Sequence, residues 1–223
     1  MTELMEKIAG EITMSEVPGK VIRKWRMMFK VSQTDLANHM GIAPSVISDY
    51  EQGRRSPGTT LVKRIVSTLI SIDKERGGDI IKRFTPPGQE GIIDIGEFSR
   101  PIDIDELVKN IDGEILNSSK GKGDIYGYTI IDSLNAIISM KSFDYLRIYG
   151  WSTERSLFFT GVEHGRSPLV AIRASPLTPA VVGYVKPSNV DELSLKLADL
   201  EGIPLLKTDN DVEELIKNLK KLQ

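Results

Sequence analysis

Residues 33–52, QTDLANHMGIAPSVISDYEQ, decide the fold of the N-terminal part of the chain. Three apolar residues fall on one face of a first helix: Leu36, Ala37 and Met40. Ser32 is placed to cap this helix and Gly41 ends it. Pro44 stands in the first turn of a second helix, where its missing N–H does no harm. The stretch therefore predicts two short helices joined by a tight turn.

The close crossing of these two helices explains which small residues the stretch carries. The second helix buries Ile47 and Tyr50. Helices joined by so short a turn must cross closely, so a small side chain is required at Ala37 and a permissive backbone at Gly41. We interpret the pair as a helix-turn-helix, and the alternative is an αα-hairpin that happens to carry these residues.

This stretch resembles the DNA-binding domain of the Cro and phage-repressor family, often called the Xre family, in the spacing of five residues: Ala37, Gly41, Ile42, Ile47 and Tyr50. The resemblance covers residues 21–72. The segment IRKWR at 22–26 is similar to the family's first helix, and YEQGRRSP at 50–57 is similar to the loop after its recognition helix. It implies a five-helix repressor-like domain and a structural ion pair between Arg26 and Glu51.

The resemblance also implies which residues contact DNA. Base edges are expected to meet the start of the second helix, at Pro44, Ser45, Val46, Ser48 and Asp49. Phosphates are expected to be held by Gln33, Thr34, Arg54, Arg55 and Ser56. Asp49 can accept a hydrogen bond from cytosine, and Val46 can contact a thymine methyl group. Pro44 and Asp49 stand where the family often has Gln or Arg, which leaves few strong purine contacts. The alternative for each position is an exposed polar surface.

The composition is that of a soluble globular protein. The 223 residues, 40% hydrophobic and 27% charged, allow one large or two small domains. No run approaches 18 uncharged apolar residues, and the N-terminus MTELMEKIAGEI lacks the build of a signal peptide. We therefore expect a cytoplasmic protein without membrane contact. The absence of cysteine excludes disulfides, thiolate nucleophiles and cysteine zinc sites.

Charge is distributed unevenly along the chain. Residues 15–84 hold 13 Lys/Arg against 7 Asp/Glu, a net charge of +6, whereas residues 85–223 hold 15 against 21, a net charge of −6. Phosphate contacts supply most of the affinity for nucleic acid, so the basic part is the expected DNA-binding end. The asymmetry favours two domains with different partners.

We expect residues 1–84 to form the DNA-binding domain, 85–100 a linker and 101–223 an α/β domain. Outside the family's minimal domain, residues 2–13 are predicted to form an amphipathic extra helix. Further helices are predicted at 60–71 and at 74–83, the last capped by Asp73. The prolines and glycines of 84–91 suit neither helix nor strand, which predicts the linker there.

The second half has its own apolar pattern. Helices are predicted at 103–116 and 129–140, and two neighbouring strands at 157–162 and 169–174. A strand, helix, strand, helix order follows, at 180–185, 190–200, 203–206 and 211–222, with Ser188 and Asp211 as helix caps. This order favours parallel strands, so the expected fold is a small α/β domain with a mixed or parallel sheet.

This half resembles the C-terminal domain of predicted transcriptional regulators found in archaea, in the segments 152–155 and 165–168. The end of the chain is also similar to nucleotide-sensing modules of the DRTGG type, although DRTGG itself is absent. We predict that one pocket for a small anionic or nucleotide ligand is built from Thr153, Glu154, Arg155, Gly165, Arg166 and Ser167. The alternative is a salt bridge that steadies a turn, Arg155 with Glu163 or Glu154 with Arg166.

No pattern of catalytic residues is readable. The only histidines are His39 and His164, and neither a metal-binding spacing, a G-x-S-x-G elbow nor a nucleotide-binding glycine motif occurs. We predict no enzyme, no cofactor and no metal. The expected function is a sequence-specific regulator of transcription that binds double-stranded DNA as a homodimer, because one recognition helix reads few bases. The alternatives are a coactivator with weak nonspecific DNA binding and an enzyme controlled by its DNA-binding part.

Overall fold

The computed structural model describes residues 2–84, 91–121, 123–141 and 144–223. The chain divides into two compact units, Met1–Pro86 and Pro87–Gln223. The first six residues of the predicted linker, 85–90, lie outside the described residues. Beyond it the structure has a strand from Ile92 to Ile102 where a linker was predicted as far as residue 100.

The first unit consists of helices. They are α1 (Thr2–Thr13), α2 (Pro18–Met28), α3 (Gln33–Met40), α4 (Pro44–Glu51), α5 (Thr59–Glu75) and α6 (Asp79–Phe84). The predicted extra helix and the two helices of the motif are confirmed. Apolar side chains from all six helices form one buried cluster, in which Ile8 of α1, Trp25 of α2 and Leu69 of α5 are almost inaccessible to solvent. The extra helix is therefore part of the core of this unit.

Asp73 caps a helix in a way that differs from the prediction. Helix α5 continues to Glu75, so Asp73 lies inside it. The buried Asp73 carboxylate accepts hydrogen bonds from the backbone N–H groups of Ile80 and Ile81 at 3.3 and 2.9 Å. It therefore stabilises the first turn of α6, on the far side of the turn between the two helices.

The second unit is built on one mixed sheet of six strands. The strands are β1 (Ile92–Ile102), β2 (Gly113–Ile115), β3 (Ile125–Asp132), β4 (Arg155–Thr160), β5 (Val181–Val185) and β6 (Leu205–Thr208). Their order across the sheet is β1-β3-β4-β5-β6-β2. The four inner strands are parallel, and the two edge strands β1 and β2 are antiparallel to their neighbours. The predicted α/β fold with a mixed sheet is confirmed.

Helices cover both faces of this sheet. They are α7 (Ile104–Asn110), α8 (Ser133–Ser139), α9 (Arg166–Arg173), α10 (Glu192–Glu201) and α11 (Val212–Leu219). Successive side chains of a strand point to opposite faces. In β4, Leu157 and Phe159 accordingly join the core under α9 and α10, whereas Phe158 joins the core under α7 and α11. The second unit is a three-layer α/β/α domain.

Three predicted elements of this unit were wrong. The predicted helix 129–140 is divided between strand β3 and the short helix α8. The predicted strand 169–174 belongs to helix α9, and the predicted helix 103–116 ends at Asn110, before β2. Helix α10 is capped by Asp191, whose carboxylate accepts from the Ser194 N–H, and not by Ser188. The predicted Asp211 cap is present on α11.

Candidate nucleic-acid interface

The motif helices α3 and α4 have the termini that the sequence requires. The Ser32 hydroxyl accepts a hydrogen bond from the Asp35 N–H at 3.0 Å and so caps α3. Gly41 ends α3 in the left-handed conformation, with φ at 64°, which a residue with a side chain adopts at a cost. Pro44 is the first residue of α4. The turn between the helices therefore needs only residues 41–43.

A buried ion pair ties α2 to the end of α4. Arg26 donates from Nε to Oε1 of Glu51 at 2.6 Å and from Nη2 to Oε2 at 2.9 Å, and a further bond runs from Nη1 to the Val31 carbonyl at 2.7 Å. The Gln33 amide, expected at a phosphate, donates to the same Glu51 carboxylate at 2.7 Å. This network holds the start of α3 and the loop before it against the end of α4. It thereby fixes the orientation of α4 within the unit.

The leading edge of α4 is open to solvent. Pro44 and Ser45 are exposed, and Val46, Ser48 and Asp49 are half-buried. The Ser48 hydroxyl accepts a hydrogen bond from the Gln52 side chain at 2.9 Å. Thr34, at the start of α3, is exposed as well. The predicted base-reading residues thus offer a small, weakly charged surface with hydroxyl groups and one carboxylate.

The loop after α4 presents two arginines that both approach Asp49. Arg54 Nη1 lies 3.3 Å from Oδ1 of Asp49, and Arg55 Nε lies 3.6 Å from Oδ2. Both guanidinium groups remain largely exposed, as does the neighbouring Ser56. Asp49 therefore serves as an anchor that holds two cations beside the leading edge of α4.

A cleft of about 280 Å³ adjoins this loop. Arg55 and Ser56 line it together with Lys20 from the first turn of α2. Lys20 is exposed, so it adds a cation to the surface of Arg54 and Arg55. The helix-turn-helix motif did not point to Lys20, because Lys20 lies outside residues 33–52. The sequence signal that could have identified it is its position directly after Pro18-Gly19, where α2 begins.

The structure does not bring together the six residues of the predicted anion pocket. Thr153, Glu154 and Arg155 lie at the start of strand β4, whereas Gly165, Arg166 and Ser167 follow its end and begin α9. Six residues of an extended strand separate the two groups by roughly 20 Å. One small ligand cannot contact both groups, so the prediction of a single pocket is corrected to two separate locations.

The predicted salt bridges also give way to other partners. Arg155 is fully buried and pairs with Glu97 of β1, and its guanidinium donates to the Tyr128 carbonyl and the Thr129 hydroxyl. Arg166 pairs with Asp191. Although burial raises the pKa of the Asp191 carboxyl, the Ser194 amide and the Arg166 guanidinium outweigh it and hold that pKa below its ordinary value. Arg155 is therefore a structural residue of the sheet.

The two histidines lie in different units, His39 in the first and His164 in the second. His39 Nδ1 lies 2.8 Å from the Asp35 carbonyl within α3, and His164 is an exposed residue of the loop after β4. Across the described ranges, no three His, Cys, Asp or Glu side chains are grouped as metal ligands. Nor does any described helix have the length and apolar character needed to cross a membrane.

The fold and the open α4 define the first unit as a helix-turn-helix domain. The helix-turn-helix family model matches residues 22–71. An uncharacterized HTH-type transcriptional regulator of Methanocaldococcus jannaschii is 44% identical, over 98% of this chain and 96% of that protein. A second, of Archaeoglobus fulgidus, is 42% identical over 97% of this chain and 96% of its own length. The chain belongs to this family of archaeal HTH-type transcriptional regulators, and the resemblance identified from the sequence is confirmed.

Proposed function

We propose that this protein is a dimeric transcriptional regulator that reads a specific DNA sequence with the leading edge of α4. One observation carries the proposal: an open helix start at Pro44 and Ser45 stands next to two exposed arginines anchored by Asp49. Hydroxyl and carboxylate groups can read base edges in the major groove, and guanidinium groups hold phosphates. Dimerisation is proposed because a single helix contacts too few base pairs for tight specific binding.

A second candidate is a coactivator that binds DNA weakly and without sequence preference. It is favoured by the engagement of Asp49 with Arg54 and Arg55, which reduces the freedom of the one charged group expected to read bases. In this case Arg54, Arg55 and Lys20 would still attract phosphates. The two candidates therefore differ in base preference and not in salt dependence.

Selection of bound duplexes from a random pool, followed by fluorescence anisotropy, distinguishes them. A regulator enriches a palindrome with half-sites about 34 Å apart. Replacing both arginines, Arg54→Gln and Arg55→Gln, is expected to weaken binding to every duplex and to reduce the slope of log affinity against log salt by about 2. Ser45→Ala is expected to change base preference with little effect on that slope.

Lys74→Gln is the control for the loss of a cation elsewhere on the unit, because Lys74 is an exposed cation outside the proposed contacts. It is expected to leave both the slope and the base preference unchanged. Analytical ultracentrifugation tests the dimer directly. Salt-sensitive binding without an enriched sequence would favour the coactivator, and the absence of any binding to duplex DNA would refute both candidates.

A further inference from the structure

Helix α8 of the second unit turns its large apolar side chains to solvent. The buried residue of α8 is Ala136, its smallest apolar residue, whereas Leu134, Ile137 and Ile138 are 64%, 60% and 75% exposed. A surface helix normally buries its large apolar side chains and exposes its polar ones. We call the surface formed by Leu134, Ile137 and Ile138 the α8 face. The reversed pattern indicates that another surface covers the α8 face.

The connection that follows α8 enlarges this apolar surface. It includes the 3-10 helix Asp144–Tyr149, whose Leu146 is 45% exposed. At roughly 100 Å² for each exposed apolar side chain, the α8 face and Leu146 offer about 400 Å². This area is comparable to the largest apolar patch of a typical monomer, which is often an interaction site. It is also about half of the roughly 800 Å² that each partner of a stable interface buries.

A small apolar recess adjoins the α8 face. It has a volume of about 40 Å³ and lies between α8, the 3-10 helix and α9, with Ile137, Tyr145, Pro168 and Ala171 among its walls. A space of this size accepts the end of one apolar side chain. Protruding side chains and a recess therefore lie on the same surface. Two copies related by a two-fold axis need this arrangement, because each copy offers both halves of the contact.

The polar residues next to the α8 face have partners at the helix itself. The Asn135 amide donates to the Asp132 carboxylate at 2.9 Å, and the Ser139 hydroxyl donates to the Asn135 carbonyl at 2.6 Å. Burying a polar group is costly chiefly when that group is left without a hydrogen bond. An apolar partner surface can therefore cover the α8 face while these bonds remain.

Charge identifies a second copy of this chain as the partner. Residues 85–223 have a net charge of −6, whereas residues 126–151, which include the α8 face, hold two Lys/Arg and two Asp/Glu. Residues 133–140 hold no charged side chain at all, and Arg147 of the 3-10 helix pairs with Asp144. Like charges placed opposite each other disfavour association. Two acidic units can therefore pair through this neutral surface, whereas a basic partner would find complementary charge elsewhere on the unit.

We propose that two copies of this chain dimerise through the α8 face, with the apolar side chains and recess of one copy packed against those of the other. This inference rests on the proposed function, because it names the surface of the dimer that tight binding to two half-sites requires. It adds that dimerisation belongs to the second unit and occurs without DNA.

Ile138→Asp tests this surface, because it places a carboxylate on the α8 face of both copies. Ile138 is largely exposed, so the variant is expected to fold with an unaltered circular dichroism spectrum. Sedimentation equilibrium of the full-length protein is expected to show a dimer dissociation constant raised by about a hundredfold or more, since each carboxylate would be buried near its own copy. The melting temperature of the unaltered protein is expected to rise with protein concentration, and that of the variant is not.

Leu200→Asp is the matched control. Leu200 is 71% exposed in the last turn of α10, as Ile138 is in the last turn of α8. The two variants therefore add the same charge to the same unit at equally exposed apolar positions. Leu200→Asp is expected to leave the dimer dissociation constant unchanged.

Chemical cross-linking gives a second readout that does not depend on loss of association. The chain contains no cysteine, so a single introduced cysteine reports its own surroundings. Ile138→Cys is expected to form a covalent dimer with a short bis-maleimide linker, visible on a denaturing gel. Leu200→Cys is expected to remain monomeric under the same treatment.

Binding to DNA separates this inference from the proposed function. Ile138→Asp is expected to weaken binding to a duplex with two half-sites and to leave binding to a single half-site unchanged. An unaltered protein that dimerises, but whose Ile138→Asp variant dimerises equally well, overturns the assignment of the surface and leaves a dimeric regulator possible through another surface. A monomeric unaltered protein overturns both. A dimer that depends on Ile138 but binds no duplex supports the α8 face and refutes only the proposed function.

Discussion

Each of the two units contains a buried arginine paired with a glutamate, but the two pairs are built differently. In the first unit both partners are buried, and the Glu51 side chain is only 2% exposed. In the second unit Arg155 is fully buried, whereas its partner Glu97 is 36% exposed. The helical unit therefore encloses a complete ion pair, and the α/β unit encloses only the cation.

The surroundings of the two arginines account for this difference. Within the described part of the chain, Glu51 is the one charged partner of Arg26, and the Val31 carbonyl also accepts from its guanidinium. Arg155 also donates to two carbonyls and one hydroxyl, those of Ser152, Tyr128 and Thr129. Neutral dipoles thus satisfy most of the Arg155 guanidinium. The comparison teaches that the cost of losing the glutamate depends on what else accepts from the arginine.

Glu51→Ala is expected to have the largest effect. It leaves the charge of Arg26 buried without compensation, which typically costs about 3–5 kcal/mol. Trp25 is buried in the same unit, and Trp151 is the other tryptophan of the chain. Urea unfolding followed by tryptophan fluorescence in a Trp151→Phe background therefore reports this unit alone. DNA affinity is expected to fall together with the melting temperature.

The neighbouring Gln52→Ala is a suitable control, because Gln52 is exposed and loses only its bond to Ser48. Its expected effect on the free energy of unfolding is within about 0.5 kcal/mol. Unchanged unfolding of Glu51→Ala together with full DNA affinity would show that the ion pair does not position α4.

Glu97→Ala is expected to have a smaller effect, about 1–2 kcal/mol, since water can replace the partly exposed carboxylate and the neutral acceptors of Arg155 remain. Hydrogen exchange of peptides from β3 and β4, read by mass spectrometry, measures the loss in this unit. Thr129→Val in the same background removes one neutral acceptor and is expected to increase the loss. A cost of Glu97→Ala equal to that of Glu51→Ala would contradict the role assigned to the neutral acceptors.

The helical unit was largely predictable because its signals are local. Apolar residues recur at helical spacing, and the two motif helices have their capping residues and proline within a few positions of their ends. The Arg26–Glu51 pair links positions 25 residues apart, and only the family resemblance pointed to it. Asp73 was expected to cap the next helix, and it does. That helix, α6, begins only at Asp79, after a turn that the local sequence pattern did not predict.

The α/β unit was less predictable because buried parallel strands are apolar on both faces. Ile130 and Ile131 of β3 continue into Leu134 and Ile137 of α8 at a spacing that also suits one helix, so the boundary at Ser133 was missed. Residues 169–174 contain two β-branched residues, Val170 and Ile172, but their Leu, Ala and Arg residues favour a helix, and Leu169 and Ile172 are buried at the spacing of one helical face.

Partners that lie far apart in the sequence were also missed. Glu97 precedes Arg155 by 58 residues, and no spacing rule connects them. Arg155 is followed by a run of apolar residues, which showed that a strand was present but not that its first residue is buried.

The smallest effect is expected for an ion pair whose two side chains are both partly exposed. It extends the comparison from buried ion pairs to a solvated one. Glu11 of α1 accepts from the Trp25 indole N–H at 2.8 Å and pairs with Lys24, and the two charged side chains are 35% and 47% exposed. The hydrogen bond from Lys24 is the main cause that lowers the pKa of Glu11 below its ordinary value. The folded state therefore binds a proton here less readily than the unfolded state does.

The sign of the pH dependence follows from this lowered pKa. The ion pair stabilises the folded state above the ordinary pKa of a glutamate, and that contribution is lost as the pH falls through the lower pKa of the folded state. Glu11→Gln keeps an oxygen that accepts from Trp25 and removes only the charge. It is expected to cost less than about 1 kcal/mol at pH 7, because the pair is solvated.

Unfolding of the first unit, measured by Trp25 fluorescence between pH 7 and pH 3, checks this expectation. The difference between the unaltered protein and Glu11→Gln is expected to shrink towards low pH and in high salt, since protonation and screening both remove the attraction. A difference that persists at pH 3, or that matches the cost of Glu51→Ala, would show that burial does not set the relative strengths of the three ion pairs compared, those of Glu51, Glu97 and Glu11.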